Sequence, residues 1–261
     1  MGYRIYCYTI LILTMTTLGF GGEKTVRIAT LKDYPPFCMA VGEFEINQTI
    51  PPGDDAVGFQ GYSWDIIRQS FHKMGYTIHL SILPWTRAMT YIQKGQTDLL
   101  FPTGNNTDRQ KLFYYSKESV NEVNFVVYVQ TENPIKWKGL ESLQGLTIGI
   151  KRGFNYGNEW KAARGIIKYN VNTIWQGFKM LDANRLDGFM GYEYNWDYVL
   201  KQNNLNQKYR KLPFLTGSLE YIVVLKSNPN SRAILNAYDT GKKELIRTGE
   251  LKHIRNKWFE N

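Results

Sequence analysis

The stretch DLLFPTGNNTDRQKLFYYS, residues 98–116, decides how the rest of the chain is read. Its first four residues, Asp98 to Phe101, give the short apolar run expected of a buried strand. Turn chemistry follows at once. Pro102, Thr103, Gly104, Asn105 and Asn106 break the apolar pattern and offer hydroxyls and backbone N–H groups. The loop ends in Arg109, whose planar guanidinium can hold a carboxylate through two parallel hydrogen bonds. Alone, Arg109 also reads as a surface charge. A buried strand delivering a polar loop and one arginine matches a ligand site outside the carboxyl end of a strand in a layered α/β protein.

The same alternation extends both ways from this stretch. Upstream, TVRIAT (25–30) is β-rich and is stopped by Pro35 and Pro36. Trp64, Ile67, Phe71 and Met74 then recur at helical spacing before Gly75, residues 77–83 read as a strand, and 86–93 as a helix ending near Gly95. Downstream, 123–130 and 146–150 read as strands, with Gly153 and Gly157 in the turn after the second. Ile174, Phe178 and Leu181 mark a helical face, 187–190 and 221–225 are strands, and 234–259 is helical, interrupted around Thr248 and Gly249. Two strand–helix series predict an α/β protein of two lobes, with mostly parallel sheets flanked by helices. Residues 42–58, carrying Gly42, Pro51, Pro52, Gly53, Asp54 and Asp55, read as an extended loop or irregular hairpin.

A chain of 261 residues with 43% hydrophobic residues can bury a sizeable core. The 32 Lys and Arg against 23 Asp and Glu give a net charge of +9, but the basic residues are scattered and 15% of the chain is aromatic. This excludes a polybasic arm and predicts no nucleic-acid partner. Residues 1–21 have the make-up of a secretory signal peptide: Arg4, an apolar run from Ile5 to Phe20, and small Gly19 and Gly21 before a cleavage point. An uncleaved anchor is the alternative, though the run is short for a membrane span. Cleavage removes Cys7 and leaves Cys38, so no internal disulfide is expected, and Cys38 reads as a packing residue rather than a nucleophile.

Phosphate-binding, hydrolase and zinc-protease motifs are absent, and no cofactor or metal is expected. His72 and His79 read as structural, and Asp54 and Asp55 as a solvated loop. Tyr34 and Phe37 sit on a prolyl-stiffened loop after the first strand, suited either to packing or to facing a ligand. Trp85 follows another strand and can supply an opposite aromatic wall, with Arg87 beside it to pair with an anion. The turn Arg152-Gly153-Phe154-Asn155 presents N–H groups at a helix start, favourable for an anion.

Four stretches together resemble family 3 of the bacterial periplasmic solute-binding proteins, which bind polar amino acids: TDRQKLFYYS (107–116) after DLLF, YPPF (34–37) with GFQGYSWDII (58–67), LQGLTIGIKRG (143–153) and GELKHIRNKWF (249–259). The resemblance spans nearly the whole chain after the signal. It implies a two-lobed flytrap of the type 2 periplasmic-binding fold, with two mixed, mostly parallel sheets flanked by helices and a ligand cleft between the lobes. Lobe one is residues 22–121 plus 221–261 and lobe two is 122–220, with crossings near 119–124 and 217–221. Carried over by motif, Arg109 clamps a ligand carboxylate, Tyr34 and Trp85 sandwich the side chain, and Pro102, Thr103 and Gly104 form the loop that donates to the ligand. Pro102 departs from the pattern, because proline has no N–H to give. Where the family's amino-acid binders hold the ligand ammonium with an aspartate, this chain has Tyr192, and Glu193 can substitute if the register shifts by one.

The function so implied is capture of a small polar solute, an amino acid or related carboxylate, by a monomeric periplasmic protein. Its partner is an ABC transporter permease in the inner membrane. Two alternatives stand beside it: a sensory flytrap without a transport role, and a dehydratase-like enzyme on the same scaffold. The second needs a poised carboxylate, for which Glu193 is the candidate.

Overall fold

The computed structural model describes Met1 and residues 22–205, 207–213 and 217–260. The expected signal segment, Met1 apart, lies outside the described residues. Strand β1 (Lys24–Leu31) leads into the short strands β2 (Asp33–Tyr34), β3 (Cys38–Ala40), β4 (Asn47–Ile50) and β5 (Phe59–Gln60). Then come α1 (Tyr62–Lys73), β6 (Tyr76–Leu83), α2 (Trp85–Gln93), β7 (Leu99–Gly104), α3 (Thr107–Leu112), β8 (Phe113–Tyr115) and β9 (Asn121–Val123). The middle of the chain forms β10 (Phe125–Gln130), β11 (Thr147–Lys151), α4 (Gly157–Ala162), β12 (Ile167–Val171), α5 (Ile174–Asp182), β13 (Gly188–Tyr192), α6 (Glu193–Gln202) and β14 (Tyr209–Pro213). Strand β15 (Ser218–Leu225) and helices α7 (Ser231–Arg247) and α8 (Glu250–Phe259) follow.

These strands sort into two main sheets. One has seven strands in the order β4-β6-β1-β7-β15-β8, with β9 also paired to β15, and the other has five in the order β12-β11-β13-β10-β14. Parallel pairing is confined to β6-β1-β7 and β12-β11-β13, where helices supply the crossovers. β10 and β15, the first strands reached after each passage between the sheets, run antiparallel to their neighbours. Both sheets are therefore mixed, and less parallel than strand–helix alternation alone suggests. The segment 42–58 contributes β4, which pairs antiparallel with β6 at the outer edge of the first sheet and so lies away from β7 and β15.

The helical spacing seen in sequence is the packing face of α1: Trp64, Ile67 and Phe71 are wholly buried. Gly75 ends that helix in the left-handed conformation at φ +76°, where a side chain would be strained. Asp65 on the same helix is buried and accepts from Lys257 Nζ at 2.8 Å and from Trp258 Nε1 at 2.7 Å. The last helix is thereby tied back onto the first. Among the described residues, no helix is long and apolar enough to cross a membrane, and no group of His, Cys, Asp and Glu could hold a metal ion.

Candidate functional site

The carboxyl ends of the strands converge, as layered α/β proteins require of a ligand site. From the first sheet come Tyr34 after β1, Trp85 as the opening residue of α2, and Gly104 at the end of β7. Asn106 caps α3 by accepting from the Arg109 backbone N–H at 2.9 Å, which fixes where the arginine starts. The Arg109 guanidinium donates to the Gly104 carbonyl at 3.0 Å and to the Gly153 carbonyl at 3.4 Å, and lies 5.3 Å from the centre of the Trp85 ring. Among the described residues, no carboxylate lies within ion-pair distance of it.

From the second sheet come the turn after β11 and the end of β13. Trp85 Nε1 donates to the Gly153 carbonyl at 2.8 Å. Gly153 has φ +78°, and a Cβ there would stand 2.9 Å from Trp85 Cδ1, so this close approach needs glycine twice over. Phe154 meets Tyr34 edge-on at 5.6 Å between ring centres, and Tyr192 meets it at 5.8 Å. Lys151 Nζ reaches across to Asp33, donating to its carboxylate at 2.7 Å and its carbonyl at 3.1 Å. Asn195 Nδ2 donates to the Pro35 carbonyl. The two lobes are thus closed on one another. Between them lies a narrow cavity, part of it open to solvent, walled by Tyr34, Trp85, Arg109, Phe154, Tyr192 and Glu220.

Glu220 is the residue that sequence reasoning missed. It is 4% exposed, and its Oε2 accepts from the Tyr34 hydroxyl and from Asn121 Nδ2, each at 2.8 Å. Burial pushes its carboxyl up to about 7, while the bonds from Asn121 and Tyr34 and the charge of Arg109 pull the other way. Tyr34 and Tyr192 are pushed well above the ordinary phenol range, first by burial and then by the nearby Glu220. The available signal was a lone carboxylate inside the otherwise apolar run of β15, SLEYIVVL.

The structure brings Tyr34, Trp85, Pro102, Gly104, Arg109, Phe154, Asn155 and Tyr192 to this cavity. Gly153 is tied to two of them, its carbonyl accepting from Trp85 and Arg109. Five other candidates do not line it. Phe37 is buried behind Tyr34, 5.0 Å between ring centres, and also packs on Tyr62 and Phe259. Arg87 and Arg152 are exposed. Thr103 is buried, and its hydroxyl has no hydrogen-bond partner among the described residues. Glu193 is half-buried, and its carboxylate pairs with Lys211 at 3.0 Å outside the cavity lining. The Tyr192 hydroxyl is already engaged, donating to the Asn155 carbonyl at 2.5 Å and accepting from its N–H at 3.2 Å. Cys38 is fully buried, and burial pushes its thiol upward, as suits a packing residue.

The sequence model of the bacterial extracellular solute-binding proteins, family 3, matches residues 26–261. The chain is 20% identical over 241 residues to the arginine-binding extracellular protein ArtP of Bacillus subtilis (strain 168), covering 91% of this chain and 87% of that one. Among solved structures it is similar to the substrate-binding protein of an amino acid ABC transporter, at TM-score 0.73 and 20% identity over 91% of this chain and all of that one. It is also similar to a histidine kinase sensor domain, at TM-score 0.76 and 20% identity over 91% and 96% of the two chains. A third likeness is to a Streptococcus pneumoniae ABC uptake transporter binding protein with bound histidine, at TM-score 0.75 and 16% identity over 91% and 93%. At these identities the structural likenesses establish the fold alone.

Proposed function

Because the chain belongs to family 3 of the bacterial extracellular solute-binding proteins, we propose that it captures an amino acid or a closely related carboxylate between its lobes and delivers it to an ABC importer. In this reading the lobes are residues 22–121 with 221–261, and 122–220, and the protein works outside the cytoplasmic membrane after removal of residues 1–21. The observation that carries the reading is Arg109. Its guanidinium faces the cleft, held by two carbonyls from opposite lobes and the face of Trp85, with no carboxylate of the described residues against it. A cation so placed favours an anionic ligand, and a carboxylate leaving water needs such a partner.

Binding then needs no chemistry. The ligand shifts the population toward the closed form by the contacts only that form makes, including the bonds Gly153 receives from Trp85 and Arg109. The test is thermal unfolding of the protein with amino acids, small carboxylates, amines and short peptides, in wild type and Arg109→Ala. A ligand at 100 times its dissociation constant adds about 2.7 kcal/mol, and loss of Arg109 costs about 2–5 kcal/mol of binding if the pair is desolvated. Stabilisation by an amine that survives the substitution overturns the clamp. Silence across the whole panel overturns capture of these solutes and turns attention to a sensory role, for which the likeness to a sensor domain is the precedent.

A further inference from the structure

We infer that Glu220 is the cleft's contact for a ligand ammonium group, so that the favoured solute is a zwitterion held between Glu220 and Arg109. This rests on the capture reading above and adds a second charge to it. Glu220 lies on β15, in register with Gly104 of β7 on one side and Asn121 of β9 on the other. It therefore sits where the two passages between the sheets meet, beside the carbonyl that anchors Arg109. Both of its hydrogen bonds go to Oε2, and both come from neutral donors. Among the described residues, neither oxygen of Glu220 has a hydrogen bond or ion pair from a cation. A carboxylate this buried is costly unless paired, and an ammonium is the group that pairs it.

The rival positions are occupied. Tyr192 has its hydroxyl committed to Asn155, and Glu193 has its carboxylate committed to Lys211. Tyr34 and Asn121, by contrast, orient Glu220 without neutralising it. The ionisable groups around it are Tyr34 from β2, Cys38 from β3, Arg109 from α3 and Tyr192 from β13. Of these, Arg109 is the one charged at neutral pH, and it is the partner assigned to the other end of the ligand. Ammonium recognition thus lies with the seven-stranded sheet, where β15 carries Glu220 between β7 and β9.

The experiment is calorimetric titration of wild type and Glu220→Gln with three amino acids, L-glutamine, L-arginine and L-histidine, and with their counterparts lacking the α-amino group. The expected result is a preference of tenfold or more for the amino acid in wild type that collapses toward one in the variant. Because Glu220→Gln can also perturb Tyr34, a second measurement uses wild type alone. Titration near pH 6.5 in buffers of different ionisation enthalpy should show a proton released on binding the amino acid and none on binding its deaminated counterpart. A wild type that binds both equally, a preference that survives Glu220→Gln, or binding without proton release overturns the assignment to Glu220. If Arg109→Ala abolishes carboxylate binding all the same, the capture reading stands without it. If no probe binds wild type, both fall.

Discussion

Lys151, on the central parallel run of the second sheet, donates to Asp33 of the first lobe at 2.7 Å, and so ties the two sheets together across the cleft. The side chain of Lys151 is 5% exposed and that of Asp33 45%. Burial pulls the Lys151 ammonium down from its ordinary range, and Asp33 pulls it back. Its ammonium also lies 4.5 Å from the centre of the Phe154 ring, within the same closed cleft. Asp33→Ala should weaken closure by an amount between the ~1 kcal/mol of an exposed pair and the about 3–5 kcal/mol of a fully buried one. Small-angle scattering should then show a larger radius of gyration at saturating ligand. An unaltered compaction would remove this pair from the closure mechanism.

Gly153→Ala should separate closure from folding. The added Cβ meets Trp85 at 2.9 Å and takes on a left-handed φ of +78°, a strain of about 1–2 kcal/mol. The wall it strikes belongs to the other lobe, so ligand affinity should fall tenfold or more while circular dichroism keeps its native form. Titration of an amino acid that binds wild type checks this, and retained affinity would show that Trp85 moves aside.

The Glu220 carboxyl predicts a pH trend in the ligand-free protein. Its folded value of about 7 lies above the ordinary 4.5, so between those pH values the folded chain holds a proton that the unfolded chain has lost. Stability from this group is greatest at low pH and declines as pH rises to about 7, by on the order of 3 kcal/mol. Other groups titrate in the same window, His72 among them with burial lowering its value, so the check is a difference. Melting temperatures of wild type minus Glu220→Gln from pH 5 to 8 should decline with rising pH. A flat difference would contradict the raised carboxyl.

Asp65→Ala should loosen the last helix from the first. It leaves Trp258 Nε1 without the acceptor at 2.7 Å and removes the Asp65 contact of Lys257. The expected loss is about 2–4 kcal/mol, which for a domain of this size lowers the melting temperature by roughly 2–4 °C per kcal/mol. Hydrogen exchange in 250–259 should accelerate first. Uniform acceleration across the chain would instead mark Asp65 as part of the general core.

The sequence reading reached the fold through local signals. The apolar run at 98–101, the Trp64, Ile67 and Phe71 stripe and the stop at Gly75 each carry their meaning within a few residues. Helix α6 escaped because EYNWDYVLKQ is rich in aromatic and polar residues of modest helix propensity, and its packing rests on Trp196 and Leu200, one turn apart. Strand β12 escaped because it is an edge strand with most of its side chains exposed. Arg109 was legible because its loop announces it. Glu220 was not, since its partners Tyr34 and Asn121 lie 186 and 99 residues away, and only the pairing of β15 with β7 and β9 brings them together.

That pairing has a mechanical side. Val123 faces Ser218 and Asn121 faces Glu220 in one antiparallel ladder, and Val126 faces Pro213 in another, so each end of the passage between the sheets is held as a hydrogen-bonded ribbon instead of two independent tethers. Loose tethers would have to be ordered at every capture, at an entropic cost that grows with their length. A ribbon has surrendered that freedom once, when the protein folded. No fresh ordering of the passage is then needed, and what distinguishes one solute from another is left to the few side chains at the cleft.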